Sequence, residues 1–159
     1  MNVDNIVLDI AQVNLNLNAK VRKGIENEFD QIIKISTPYG ELGEIIYHLF
    51  SAIHVWTNRI SDTQFTIPEY KDLTNKELFY NEWIKIDTRF VNFAKMYGAK
   101  LNYSKQVSYK TKSGNQYETI VKDIIMHMGH HSFYHRGQIA LILRLHNLQP
   151  LPNLDWNYD

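Results

Sequence analysis

The chain contains no cysteine. That excludes disulfide staples, thiolate metal ligands and a protein thiol nucleophile, so any thiol chemistry must bring its thiol from outside. Charge of one sign is also missing, because 17 Lys and Arg stand against 17 Asp and Glu. Without a basic excess, neither a nucleic-acid platform nor a binder of anionic membranes is expected. The seven histidines add no basic stripe. There is no run of about 18 apolar residues to cross a bilayer. The N-terminus carries no basic region followed by a long apolar stretch. The expectation is a soluble, cytoplasmic protein. With 4 prolines and 7 glycines among 159 residues, nothing resembles a linker, a repeat or a low-complexity tract. A single domain over 1–159 is expected, large enough to bury a core.

What is present is helical periodicity. Ile6, Ile10, Val13, Leu17 and Val21 keep a 3–4 spacing that predicts a first helix over 3–27, although Asn14, Asn16 and Asn18 weaken its propensity. A second helix is expected near Thr37-Pro38, capped by Ser36 or Thr37, with Glu41 and Glu44 at its positive end. Its stripe is Leu42, Ile45, Leu49, Ala52, Trp56 and Ile60, and His48 lies beside it. The polar stretch 61–73 is long enough to cross a bundle instead of making a tight turn. Thr74 and Glu77 then read as a capping box for a third helix carrying Leu78, Ile84, Phe90, Phe93 and Met96, with Gly98 at its end. Alternation around Ser113-Gly114-Asn115 suggests a short β-hairpin or a loop. A fourth helix follows over 119–145, its stripe formed by Val121, Ile124, Met128, His131, His135, Ile139 and Ile142. The fold class that results is all-α: a four-helix bundle with a long crossover between helices 2 and 3.

The stretch from His131 to Gln138 is the most chemically specific in the chain. Two imidazoles four positions apart leave one helical face together. A lone buried histidine is ordinarily a satisfied core residue. A pair on an inward face needs a shared reason, because each ring buried without a partner costs roughly 1–3 kcal/mol. A divalent metal supplies that reason, and His48 on a facing helix supplies a third ligand. Three histidines with an open fourth position is the pattern of a catalytic rather than a structural zinc-type site. His127, one turn earlier, is open to reading as a ligand or as a donor behind one. His54 and His130 are expected to be partly exposed without a special role, and His146 to favour the dipole at the last turn. Glu44 could orient His48 or act as base for a bound water, or simply serve the helix end. No Glu lies between His131 and His135, so the H-E-x-x-H mechanism is not written here. Gly137 reads as a packing notch, Arg136 as half of a structural ion pair, and Gln138 as a donor into the core. Trp156 and Tyr158 are expected to cap the bundle end.

The segment His127 to Gln138, read as H-x-x-x-H-x-x-Y-H-R-G-Q, resembles the C-terminal signature of the DinB (damage-inducible) family. His48 followed by Ala52 and Trp56 resembles the family's second-helix motif. The tail with Pro152, Asp155, Trp156 and Tyr158 resembles its ending. The resemblance implies a crossover four-helix bundle, commonly a homodimer, with a divalent metal (Ni or Zn) on His48, His131 and His135. Relatives of this kind include thiol-dependent enzymes, such as mycothiol-dependent maleylpyruvate isomerase and bacillithiol S-transferases. The functional expectation is a metal-dependent transferase or hydrolase. It would activate water or an external low-molecular-weight thiol for attack on a small electrophile. The alternative is a metal-stabilised binding or structural bundle without turnover. A DNA-associated stress-response role is suggested by the family's name alone, and the balanced charge argues against it.

Overall fold

The computed structural model describes residues 5–111 and 113–155. Four long helices pack as a bundle: α1 (Ile6–Ile25), α2 (Leu42–Ser61), α3 (Lys76–Tyr97) and α4 (Val121–Leu145). Two antiparallel hairpins interrupt the helices. Strands β1 (Ser36–Thr37) and β2 (Gly40–Glu41) precede α2, and β3 (Gln106–Lys110) and β4 (Gln116–Ile120) precede α4. The second hairpin is the one its sequence suggested, with Tyr109 opposite Tyr117. Among the described residues no helix is long and apolar enough to cross a membrane.

Helix directions follow from which residues meet. Phe50 stacks on Trp83 and, further along both helices, Asn58 meets Arg89, so α2 and α3 run parallel. Two parallel helices in succession require a long connection, and the segment after Ser61 provides it. Tyr47 donates to the Pro68 carbonyl at 2.8 Å and Tyr70 to the Glu41 carboxylate at 3.0 Å. The crossover therefore lies back along α2, from its C-terminal to its N-terminal end. Contacts of Asn5 with Ala94 and of Arg22 with Asp87 set α1 against α3. His48 with His131 and Trp56 with His127 set α4 antiparallel to α2.

Helix starts differ from expectation in detail. The second helix does not begin at Thr37-Pro38. Those residues enter the β1–β2 turn, where Gly40 takes φ +104°, a left-handed conformation that ends any helix arriving from Thr37. Helix α2 begins two residues later, with Glu41 and Glu44 forming a reciprocal capping box that satisfies its first N–H groups. At α3 the cap is Asn75 and not Thr74, its side chain accepting from the Leu78 N–H at 3.0 Å.

The core holds the aromatic cluster Phe29, Phe50, Phe79 and Trp83. This corrects the expected stripe of α3. Phe90 and Phe93 are buried as expected, but Leu78, Ile84 and Met96 are exposed, and Phe79, Trp83 and Ile86 occupy the interior. Ile6 of α1 is likewise half exposed. The buried face of α1 instead includes Asn14 and Asn18, the residues that seemed to weaken it. They belong to a polar seam inside the bundle. Arg22 pairs with Asp87 at 2.9 Å, Asn18 donates to Asp87 at 2.9 Å, and Arg136 donates to the side-chain oxygens of Asn14 and Asn18 at 2.9 and 3.1 Å. Arg136 is thus structural, but its hydrogen-bond partners are amides and not the carboxylate of an ion pair. Gly137 is no packing notch: it is exposed, and a methyl there would meet nothing within 4 Å. Trp156 and Tyr158 lie outside the described residues.

Candidate metal centre

Helix α4 turns by about 100° per residue, so His131 and His135 emerge one turn apart on one face. Antiparallel α2 carries His48 to the same point. His131 Nε2 lies 3.0 Å from His48 Nε2 and 3.1 Å from His135 Nε2. One ligand atom from each of the three residues lies within 4.8 Å of the others. The rings meet edge to face, with centroids 4.3 to 4.9 Å apart.

Hydrogen bonding alone does not account for this arrangement. Gln138 donates its amide to the Tyr134 hydroxyl at 3.0 Å and turns its carbonyl oxygen to His135 Nδ1 at 2.7 Å. Nδ1 therefore carries the proton, and His135 Nε2 presents a lone pair to the cluster. A proton on His131 Nε2 could point well at only one of its two close neighbours. His131 Nδ1 is buried without a partner. A cation at the centre would satisfy all three Nε2 atoms together. Nitrogens each about 2.0–2.1 Å from one ion stand roughly 3 Å apart, which is the spacing seen for two of the pairs. The residues present fit a divalent metal.

The protonation states also fit. Burial first, and then the neighbouring His135, His48 and His127 rings, push His131 down to about 3. Burial lowers His135 too, against the opposing hydrogen bond from Gln138. Both rings are neutral at physiological pH, the form that ligates.

The cluster is not in the core, as the stripe of α4 had implied. His48 is exposed and the other two are half-buried. Ile139, Met128 and Ser132 turn fully inward, which rotates the histidines to the edge of the α2–α4 seam. Beside them opens a cavity of about 330 Å³ lined by Tyr39, Ile45, Tyr134 and Gln138 along with His48 and His135. On the other side, the His127 ring packs 5.1 Å from His131 and 5.4 Å from Trp56. There the Arg59 guanidinium lies over Trp56 and Tyr109, at 4.4 and 4.1 Å.

The other candidates fall into place individually. Glu44 lines the cavity, but one of its oxygens accepts from the Glu41 N–H at 2.9 Å, so it serves the helix end. His127 stands next to the cluster without joining the three-residue group. His130 and His146 are exposed. His54 is buried, contrary to expectation, because Arg89 of α3 approaches its Nδ1 at 3.2 Å and Asn58 its Nε2 at 3.3 Å. Gln138 does not donate into the core; it orients His135. Tyr39 and Tyr134 were missed. The i, i+4 spacing of Tyr134 and Gln138 around His135 was the available signal for one of them.

An α-helical bundle with three imidazoles gathered between two antiparallel helices defines a protein whose site could hold a metal ion. The chain belongs to the DinB family, whose profile matches residues 5–152. No curated protein matches it.

Proposed function

We propose that this protein is a metal-dependent transferase. Its divalent cation, Ni or Zn, is held by His48, His131 and His135, and its nucleophile is an external low-molecular-weight thiol delivered to a small electrophile. The observation that carries this reading is the convergence of three imidazoles on a solvent-open face, with no carboxylate in the group. A three-ligand centre leaves room for a substrate atom, where a structural centre is closed by a fourth ligand. A cation there supplies Lewis acidity, which lowers the pKa of a thiol or water. Gln138 holds His135 in the tautomer that faces the centre. Tyr39, Ile45 and Tyr134 give the neighbouring cavity a largely apolar wall with phenol hydroxyls, suited to a small organic electrophile.

The thiol is favoured over water because a hydrolase needs a base, and the carboxylate that lines the adjoining cavity, Glu44, is engaged as a helix cap. The absence of cysteine is consistent with a thiol that arrives as cosubstrate. Localisation in the cytoplasm and a homodimeric state belong to the same proposal.

The test has two stages. Elemental analysis should find about one Ni or Zn per chain in the native protein and none in His135→Ala. The metal-loaded protein should then transfer a low-molecular-weight thiol to an electrophilic test substrate, and His48→Ala should not. Absence of metal would remove the reading altogether. Stoichiometric metal without transfer to any substrate would leave a metal-stabilised bundle that does no chemistry.

A further inference from the structure

A second cavity lies on the opposite side of α4 from the histidines. Gly129 and Phe133 form one wall and Ile6, Ile10 and Val13 of α1 the other, flanking a solvent-open cavity of about 330 Å³. Phe133 is two positions from His131, about 200° around the helix, so this cavity is independent of the metal centre. The lining is almost wholly apolar, with two exceptions, Asn14 and Asp9.

Asn14 is 3% exposed, and its amide nitrogen has no hydrogen-bond partner. Its oxygen accepts from Arg136, and the Arg136 guanidinium also lies 4.9 Å from the Phe133 ring. The guanidinium thus sits immediately behind two of the side chains that line the cavity. Arg136 is 1% exposed, and its Nε and Nη2 are unpartnered as well. All three orphaned groups are donors. The charge is unbalanced too: the buried seam holds Arg22 and Arg136 against Asp87, and Arg22 takes the direct ion pair. A guanidinium stays charged in proteins, so a cation that shares the single Asp87 carboxylate with Arg22 lies behind a greasy cavity with an unused amide donor.

We infer that the α1–α4 cavity is a binding site for a small amphiphile, with an apolar chain along Ile6, Ile10 and Phe133 and a carboxylate accepting from the Asn14 amide. Arg136 behind Asn14 supplies the compensating charge. Each buried donor without a partner costs roughly 1–3 kcal/mol, and a carboxylate is the group that answers a donor and a cation together. Asp9, five residues and about 7.5 Å before Asn14 along α1, repels a carboxylate at the other end and so fixes the ligand's direction. The chemistry is that of a medium-chain fatty acid or an aryl-alkyl acid.

The test is calorimetric titration of the full-length protein with three ten-carbon probes: decanoate, decanol and decyltrimethylammonium. Decanoate should bind at least tenfold more tightly than either of the others. Gly129→Phe should abolish binding of all three, since a Cβ at Gly129 meets only Ile10, at 3.9 Å, and the ring has the cavity to enter. Asn14→Asp, which removes the donor at constant shape, should weaken decanoate at least tenfold while sparing decanol. Similar affinity for all three probes, or decanoate binding that survives Gly129→Phe, overturns the assignment. So does a native dimer that excludes decanoate and dissociates in Gly129→Phe, because the cavity would then be an interface between two copies. Should Asn14→Asp fail to fold, the ranking of the three probes on the native protein decides alone.

Discussion

Gln138 determines which nitrogen of His135 faces the cluster. Its carbonyl takes the Nδ1 proton at 2.7 Å and leaves Nε2 as the ligand atom. Partners of this kind are worth about 10- to 100-fold in metal affinity. Gln138→Leu should therefore lower affinity by that factor in competition with a chelator, with the fold intact; an unchanged affinity would mean the amide has no part in holding the ring. Glu44 poses the converse question. As the partner of Glu41 in a capping box, it should cost about 1 kcal/mol of stability when replaced by Ala, with bound metal retained. Loss of metal in Glu44→Ala would show that it acts on His48 after all. At this scale the histidines were legible because i, i+4 spacing is a local rule. His54 was not, because burial there depends on Arg89, 35 positions away, which also answers its Nδ1.

The helices explain where periodicity misled. On α1 and α3 the apolar residues form two stripes, and polar residues occupy the buried one. Glu82 and Asp87 sit on the inner face of α3, and Asn14, Asn18 and Arg22 on that of α1. Apolar counting therefore chose the wrong neighbour in places, reading Leu78 and Ile84 where Phe79 and Trp83 turn inward. The seam joins residues 65 to 122 positions apart, and no local pattern encodes such pairings. Its centre is Asp87, which faces Arg22 and Asn18 directly. Asp87→Ala should leave two buried guanidinium groups without an anion and cost about 3–5 kcal/mol in urea unfolding. A loss below about 1 kcal/mol, the size of an exposed pair, would mean that water replaces the carboxylate and the seam is wet. The crossover, by contrast, was readable from length alone. A mostly polar connection of 14 residues between two helices leaves few options, and the structure uses it to run α3 parallel to α2.

For the molecule as a whole, the histidines make stability depend on pH in a direction that can be worked out. Burial is the first cause lowering His54, His127, His131 and His135 from the ordinary value of 6.5, with His131 reaching about 3. As pH falls below 6.5 the unfolded chain therefore takes up these protons first, and stability drops wherever the unfolded state binds more protons. Their contribution is complete above 6.5 and is lost progressively towards about 3. Asp87 acts in the opposite sense. Burial, opposed by Arg22 and Asn18, raises it from 3.8 to about 6, so between those values the folded state takes the proton first and acidification adds stability. Four groups against one leave a net loss in acid. Metal steepens it, since a cation binds the neutral rings of the folded state alone and is displaced by protons. The urea midpoint of chelator-treated protein should fall from pH 7 to pH 5, fall further over the same range with saturating Ni or Zn, and flatten in His131→Gln. A midpoint that is level or rises on acidification would mean that His131 and His135 accept protons in the folded state as readily as in water. The cluster would then be too open to keep its nitrogens available to a metal.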